Sequence, residues 1–381
     1  MIDEAPALPE IDADMLSGPV RKLVGAPDAT IVDWRCEPVA WTAVAWTTAG
    51  IFRIAGTLRD AAGTRPWSVI LKIVVHSGPA TADPSDRLYW RREADAYESG
   101  LFAEIEGASA ARCGGVVARD DGSVWLWLED VVEARTRWTL DDYARLARGL
   151  GMFDGAFKRA PIGDRPWLTR RFLPGWVEML EPRTRKAVTS PATWELPVVK
   201  LGFPVPLTER IVEVCDRMPR LLAAFDSLPV SLAHNDSWRT NSLLPSDGRI
   251  VLIDWAWVGL SPLGVDLGML TCATHFFFSA DPEDLSAFDA TVFPAYLDGL
   301  RAAGWSGDPR EIRFAYTTTA GLWSVITAPV WFPIWGDPAR REWLEAKFGC
   351  SLEDASPRYA RTLTFMLGLA EEAWSLLPAV T

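Results

Sequence analysis

The apolar residues of this chain change period once, near residue 130, and that change constrains the fold more than any other feature. Residues 51–58 and 68–75 are short runs rich in β-branched side chains, separated by a polar connection, 59–65, that contains Gly63. Residues 39–48 and 124–128 have the same character, so all four runs predict strands. One helix interrupts them: Asp83 can cap it, Pro84 suits its first turn, and Trp90, Ala94, Tyr97 and Leu101 recur at helical spacing. Beyond 130 the period is helical almost throughout. Thr139 with Asp142 three residues on forms a capping box, and Leu140, Tyr143, Leu146, Leu150, Phe153 and Phe157 make one apolar stripe. A chain of 381 residues patterned this way is predicted to be α+β, with a mainly antiparallel strand lobe over 1–130 and a helical lobe over 131–381. The charged stretch 129–137 is the predicted hinge.

Composition narrows the function. A formal charge of −12 argues against nucleic acid, whose phosphates are held by clustered Lys and Arg, and suits a cationic ligand such as an amino sugar. Twenty tryptophans serve core packing and flat ligands equally well. The five cysteines are scattered without a C-x-x-C pair, which speaks against a zinc site or a disulfide framework and fits a reducing cytoplasm. Asp3, Glu4, Glu10, Asp12 and Asp14 precede the first basic residue, Arg21, the reverse of a signal peptide. The apolar stretch 321–336 contains Pro329 and Pro333, is short for a bilayer span, and reads as a buried helix followed by a turn. A cytoplasmic protein without membrane, nucleic-acid or evident protein partners is expected. Walker-type phosphate loops, G-x-G-x-x-G, G-x-S-x-G and H-E-x-x-H are absent from the sequence, and three histidines leave little for a triad.

The chemistry concentrates in residues 231–267, SLAHNDSWRTNSLLPSDGRIVLIDWAWVGLSPLGVDL. Asp247-Gly248 between two apolar runs signals a two-residue hairpin. That turn sets Leu244 against Val251, Leu243 against Leu252 and Asn241 against Asp254, with Pro245 restricting its strand to a short or edge position. An amide oxygen beside a carboxylate suits Mg²⁺, which takes one or two protein ligands together with phosphate and water. Asp236, five residues before Asn241, can orient a hydroxyl and accept its proton beside such a site.

His234-Asn235-Asp236 with Asn241, then Ile253-Asp254-Trp255, then Asp266-Leu267 resemble the aminoglycoside phosphotransferase family, relatives of the choline kinases. The resemblance implies a two-lobed protein-kinase-like fold, ATP or GTP with Mg²⁺ as cofactors, and a small-molecule hydroxyl as acceptor. It implies Asp236 as catalytic base, Asn241 and Asp254 as Mg²⁺ ligands, and His234 and Asp266 as supports of the catalytic loop. It also implies a phosphate-binding lysine, supplied by Lys72 in 68–74, paired with Glu93 on the next helix. Adenine would lie against the hinge backbone at Glu129 to Val131. The chain departs from the family in having Asn235 where glycine is usual, and only Gly50 in the phosphate-covering region 47–52. Phosphorylation of an antibiotic hydroxyl, on an aminoglycoside or a nucleoside-like product, is the leading role. A choline, sugar or amino-sugar kinase and a non-catalytic binding protein are the alternatives. For the acceptor pocket the sequence offers two tracts: the carboxylates Asp281, Glu283 and Asp284 for a cation, and Trp331 and Trp335 for a flat or neutral molecule.

Overall fold

The N-terminal strands are held as a meander by one tight turn. In this computed structural model, which describes residues 7–39, 47–104, 106–157, 165–280 and 285–381, the chain opens with α1 (Ala13–Val24) and continues through β1 (Thr30–Pro38), β2 (Thr48–Asp60) and β3 (Gly63–Val74). Asp60 faces Gly63 across a two-residue turn. Its carboxylate accepts from the Ala62 amide at 2.8 Å and from Arg65 at 3.0 Å, and Gly63 takes the positive φ of 114° that closes the turn. After α2 (Arg92–Glu98) and the short β4 (Ser109–Ala110), β5 (Cys113–Ala118) and β6 (Val124–Glu129) complete a five-stranded antiparallel sheet in the order β1-β2-β3-β6-β5. Helix α1, capped by Asp12 and ended by Gly25 at φ 67°, buries Leu16, Val20 and Leu23 with Phe52, Ile54, Trp67 and Trp127 of the sheet.

Two expectations change here. The expected strand 39–48 lies partly outside the described residues, and the edge of the sheet is instead β1. That strand is mostly exposed, but Val32, Trp34 and Cys36 alternate with Asp33, Arg35 and Glu37, a period-two signal that sequence reasoning missed. The helix expected from Asp83 begins only at Arg92. Asp83 accepts from the amide and hydroxyl of Ser85, at 2.9 and 2.8 Å, and so stabilises a local turn that competes with helix.

The helical lobe runs through α3 (Leu140–Phe157), α4 (Phe172–Thr189), α5 (Pro191–Trp194), α6 (Pro197–Gly202) and α7 (Thr208–Asp226). Then come β7 (Val230–Ala233), β8 (Ser242–Leu243), β9 (Val251–Leu252) and β10 (Gly259–Pro262), and after them α8 (Val265–Phe276), α9 (Leu285–Ala302), α10 (Pro309–Trp335), α11 (Arg341–Phe348) and α12 (Leu352–Val380). The capping box forms as expected, with Thr139 N to Asp142 Oδ2 at 2.9 Å and Asp142 N to Thr139 Oγ1 at 3.4 Å. The large core takes in Ala96, Leu101, Ala108 and Ala110, and β4 pairs in parallel with β9. The segment after α2 therefore packs into the helical lobe although it precedes the hinge.

The 242–252 hairpin exists, but its register is shifted by one residue: Ser242 faces Leu252 and Leu243 faces Val251. The turn holds an odd number of residues, with Gly248 at φ 90° and Asp247 accepting from the Arg249 amide, so the two-residue turn does not form. The stretch 321–336 also differs, because α10 continues through Pro329 and Pro333 to Trp335. Proline removes one helical bond, and α10 stays continuous through that loss while packed against α4, α8 and α12; Thr184 of α4 donates to the Ile326 carbonyl at 2.6 Å.

Helix α12 is long and apolar enough, by length and composition, to cross a membrane. Its Met366, Leu367, Ala370 and Ala373 are buried among the packed helices, with α10 its main neighbour. The α10–α12 approach depends on Gly321, where a Cβ would meet the Ala370 backbone at 2.7 Å. Gly321→Val is therefore expected to lower stability by about 1–3 kcal/mol through overpacking. Gly368→Ala, which meets nothing within 4 Å, should be neutral or stabilising. Thermal melting of the two variants checks this, and equal melting temperatures would contradict it.

Candidate active site

The loop after β7 is built around one buried carboxylate. Asp266, at the start of α8 and fully buried, accepts from the His234 amide at 2.8 Å, the Asn235 amide at 2.7 Å and the Ser237 hydroxyl at 3.2 Å. His234 Nδ1 accepts from the Asp236 amide at 3.2 Å, which leaves Nε2 to donate to the Ile253 carbonyl at 3.0 Å. Burial lowers the His234 pKa, in keeping with a neutral ring in this tautomer.

Asn235 occupies φ 63°, a conformation that asparagine tolerates better than most residues. It also does what glycine could not. Its amide donates to the Trp257 carbonyl at 2.9 Å and its oxygen accepts from Ser261 at 2.7 Å, tying this loop to the one that carries Asp254.

Asp236 accepts from Asn241 Nδ2 at 2.8 Å. Burial, and after it the charge of Asp254, push the Asp236 pKa well above the ordinary carboxylate range. Because the Asn241 nitrogen is spent on Asp236, its oxygen is what Asn241 has to offer a cation. Asp254, at φ 62°, meets Lys72 Nζ at 2.8 Å. The same ammonium lies 2.5 Å from Glu93 Oε2, while Glu93 Oε1 accepts from the Trp255 amide at 3.3 Å. Burial opposes the charge on Lys72, but the two carboxylates outweigh it and hold the ammonium protonated. Lys72 also keeps Asp254 below the ordinary range against the effect of burial. The lysine therefore faces inward from β3, as expected.

Asp236, Asn241 and Asp254 line one end of a cavity of about 350 Å³ that also touches Trp176, Trp257 and Trp331. Asn241 and Asp254 share this cavity although the register shift sets Asn241 opposite Ile253, whose amide donates to the Asn241 carbonyl at 2.9 Å. Hard oxygens from one amide and one carboxylate fit Mg²⁺ better than a softer metal.

Other expected residues fall differently. Gly50 lies within β2 opposite Ile73 rather than in a loop, because strand pairing begins at Thr48. The Glu129 carboxylate is bound by Arg249 at 2.8 Å and by Arg112 at 3.1 Å, which together outweigh burial and bring its pKa down to about 2. The Glu129 amide donates to the Arg112 carbonyl at 2.8 Å, so neither its carboxylate nor its N–H is left for a nucleotide; Val131 follows in the connector between β6 and α3. Trp331 lines the cavity. Trp335, one turn on, is buried against Tyr359 of α12, with ring centroids 4.6 Å apart, and is a core residue instead. Asp281, Glu283 and Asp284 lie outside the described residues.

Sequence reasoning missed Arg92. Its guanidinium is buried and donates to the carbonyls of Trp167 (2.6 Å), Asp86 (2.7 Å), Arg87 (3.0 Å) and Ala256 (3.0 Å). Its place next to Glu93 was the available signal.

A sequence model described as the phosphotransferase enzyme family matches residues 77–306. The chain belongs to that family. It is a small-molecule kinase, and its two-lobed fold is the family's. Among solved structures, an aminoglycoside phosphotransferase from Alicyclobacillus acidocaldarius is similar at a TM-score of 0.51 and 14% identity, covering 99% of this chain and 98% of that one. A spectinomycin phosphotransferase solved with ADP and spectinomycin matches at a TM-score of 0.51 and 13% identity, covering 94% and 99%. No curated protein sequence matches the chain.

The kinase braces Asp266 from behind with Asp154 of α3. Asp154 is buried, accepts from the Tyr296 hydroxyl, and is pushed well above the ordinary carboxylic range by burial and then by Asp266. The folded Asp154 then keeps its proton to higher pH than the unfolded one, so its contribution to stability is whole below the unfolded pKa of about 4 and drains as pH rises toward the folded value. Asp154→Asn, which offers a donor and an acceptor without titrating, should match the parent near pH 4 and grow more stable relative to it toward about pH 8. Denaturant melts across that range check the sign, and a variant that loses stability relative to the parent as pH rises would contradict it.

Proposed function

We propose that this kinase transfers the terminal phosphoryl group of Mg²⁺-bound ATP or GTP to a hydroxyl held beside Asp236. The observation that supports this most is that Asp236, Asn241 and Asp254 line a single cavity, with the Lys72–Glu93 pair joined to it through the Lys72–Asp254 contact. Asp236 orients the acceptor hydroxyl and takes its proton; its position, fixed by Asn241 and the His234 loop, matters more than its basicity because phosphoryl transfer passes through a loose transition state. Lys72, aimed by Glu93, contributes a fixed positive charge toward the nucleotide phosphates. Asn241 and Asp254 would hold Mg²⁺, which neutralises phosphate charge when bound. The Glu129 carbonyl and the main chain of Val131 are the candidate adenine contacts. Modification of a hydroxylated antibiotic as a resistance function is the biological reading that the family resemblance favours.

Asp236→Ala should lower turnover by ~10²–10⁴ while leaving nucleotide affinity nearly unchanged. Asp254→Ala should abolish Mg²⁺-dependent nucleotide binding, and Asn241→Ala should weaken it less because its oxygen is neutral. Turnover assays with calorimetric nucleotide titrations, with and without Mg²⁺, measure both effects. An Asp236→Ala enzyme that keeps more than about half of its turnover would sink the assignment, given the loss expected.

A further inference from the structure

The cavity is acidic only where the chemistry is. Asp236 and Asp254 are the carboxylates among the described residues that line it, and the rest of its wall is mainly apolar and aromatic, with cations interspersed. Arg87, Arg183 and Lys347 all face it, alongside Trp176, Trp257 and Trp331.

Arg87 is the informative group. Its stem lies on the bare backbone of Gly175 in α4, where an added Cβ would meet Arg87 Cδ at 2.7 Å. The guanidinium sits 5.8 Å from the Trp176 ring, and Nη2 approaches Met179 Sδ at 3.3 Å. Nη1 is buried without a hydrogen-bond partner, and no carboxylate among the described residues forms an ion pair with Arg87. Burial lowers the Arg87 pKa, the neighbouring charges of Asp86 and Glu178 offsetting only part of that effect. Nη1 is shut off from the cavity, so the part of the guanidinium that lines it, with no carboxylate partner, is what can pair with an oxyanion. Arg183 stands exposed on the same wall, two turns along α4 from Gly175. Lys347 is held over Phe277 and Trp343, 5.7 and 5.5 Å from their ring centroids.

We propose that the acceptor is a hydroxyl compound with a flat aromatic body and an oxyanion, the body packed among the cavity tryptophans and the oxyanion paired with Arg87 and Arg183. Polycationic amino sugars are poor ligands for the same wall. This rests on reading the cavity beside Asp236 as the acceptor pocket.

Three probes share the naphthalene ring and the hydroxymethyl group and differ in the group across the ring: 6-(hydroxymethyl)-2-naphthoate, its methyl ester, and (6-(aminomethyl)naphthalen-2-yl)methanol, in which an ammonium replaces the carboxylate. Calorimetric binding to the full-length enzyme, with the nucleotide analogue AMP-PNP and Mg²⁺ present, should rank carboxylate above ester above amine. A step of about tenfold from carboxylate to ester is expected for a charge-assisted bond. Arg87→Met, which keeps the stem on Gly175 and Trp176, should erase that step, and Arg183→Ala should reduce it. Neither should shift the AMP-PNP affinity by more than about twofold, a change too small for the loss of a charge-assisted bond. Arg87→Lys, keeping the charge but not the fork, should restore part of the step and guards against a variant that fails only by misfolding. Tighter binding of the amine, an Arg87→Met enzyme that still prefers the carboxylate, or a loss confined to AMP-PNP would each overturn the proposal. The kinase reading fails separately: the predicted ranking without Asp236-dependent phosphate transfer to any probe would retain this pocket and remove that reaction.

Discussion

One buried guanidinium fixes the relation between the two lobes. Arg92 spends its donors on four main-chain carbonyls, two in the segment before α2 and two in the helical lobe. Main-chain carbonyls cannot ionise or swing away, so the arginine acts as a rivet, and burial lowers its pKa only to about 10. Glu93 follows it directly on α2. Once Arg92 is seated on the Ala256 carbonyl, Glu93 reaches both the Trp255 amide and Lys72, and Lys72 reaches Asp254. The whole charged line from α2 through β3 to the 254–257 segment inherits its position from that rivet.

Two backbone conformations near φ 60°, at Asn235 and Asp254, sit on either side of the line. Such conformations persist in non-glycine residues only where surrounding bonds over-determine them. For Asn235 those bonds are visible: two from its side chain to the 257–261 segment and one from its amide to Asp266. Replacing the usual glycine with asparagine thus exchanges conformational freedom for a cross-link between the two loops that carry Asp236 and Asp254. The geometry of the acid pair is set by this cross-link as much as by the strands.

His234, Asp236, Asn241, Asp254 and Asp266 were named together from sequence through the family resemblance, since contacts such as His234 N to Asp266, 32 residues apart, are not fixed by local spacing. The register of the 242–252 hairpin was misjudged because Asp-Gly signals a turn without fixing its length, and one residue reverses the faces. The site survived that error because Asp254 lies beyond the ladder and is aimed by its own φ and by Lys72. Trp335 shows the opposite case: helical period alone could not tell which turn of α10 the neighbouring α12 would cover. Arg87 and Arg92 were hidden for a related reason. Their partners lie in α4 and after α3, far along the chain, and nothing in a local pattern reports a carbonyl or a bare glycine at that distance.

Net charge and the cavity lining point in different directions. A total of −12 suggested a cationic ligand, yet the aromatic wall of the cavity carries arginines and a lysine. At physiological ionic strength, charges more than about 8 Å away across solvent are largely screened, while a partly buried group acts at close to full strength. The surface charge therefore bears on solubility and on the approach of ligands, whereas the guanidinium of Arg87, held in an apolar wall on the backbone of Gly175, bears on what stays. An acidic exterior and a cavity wall that carries cations are compatible, because the affinity of a ligand is decided within the range of its own contacts.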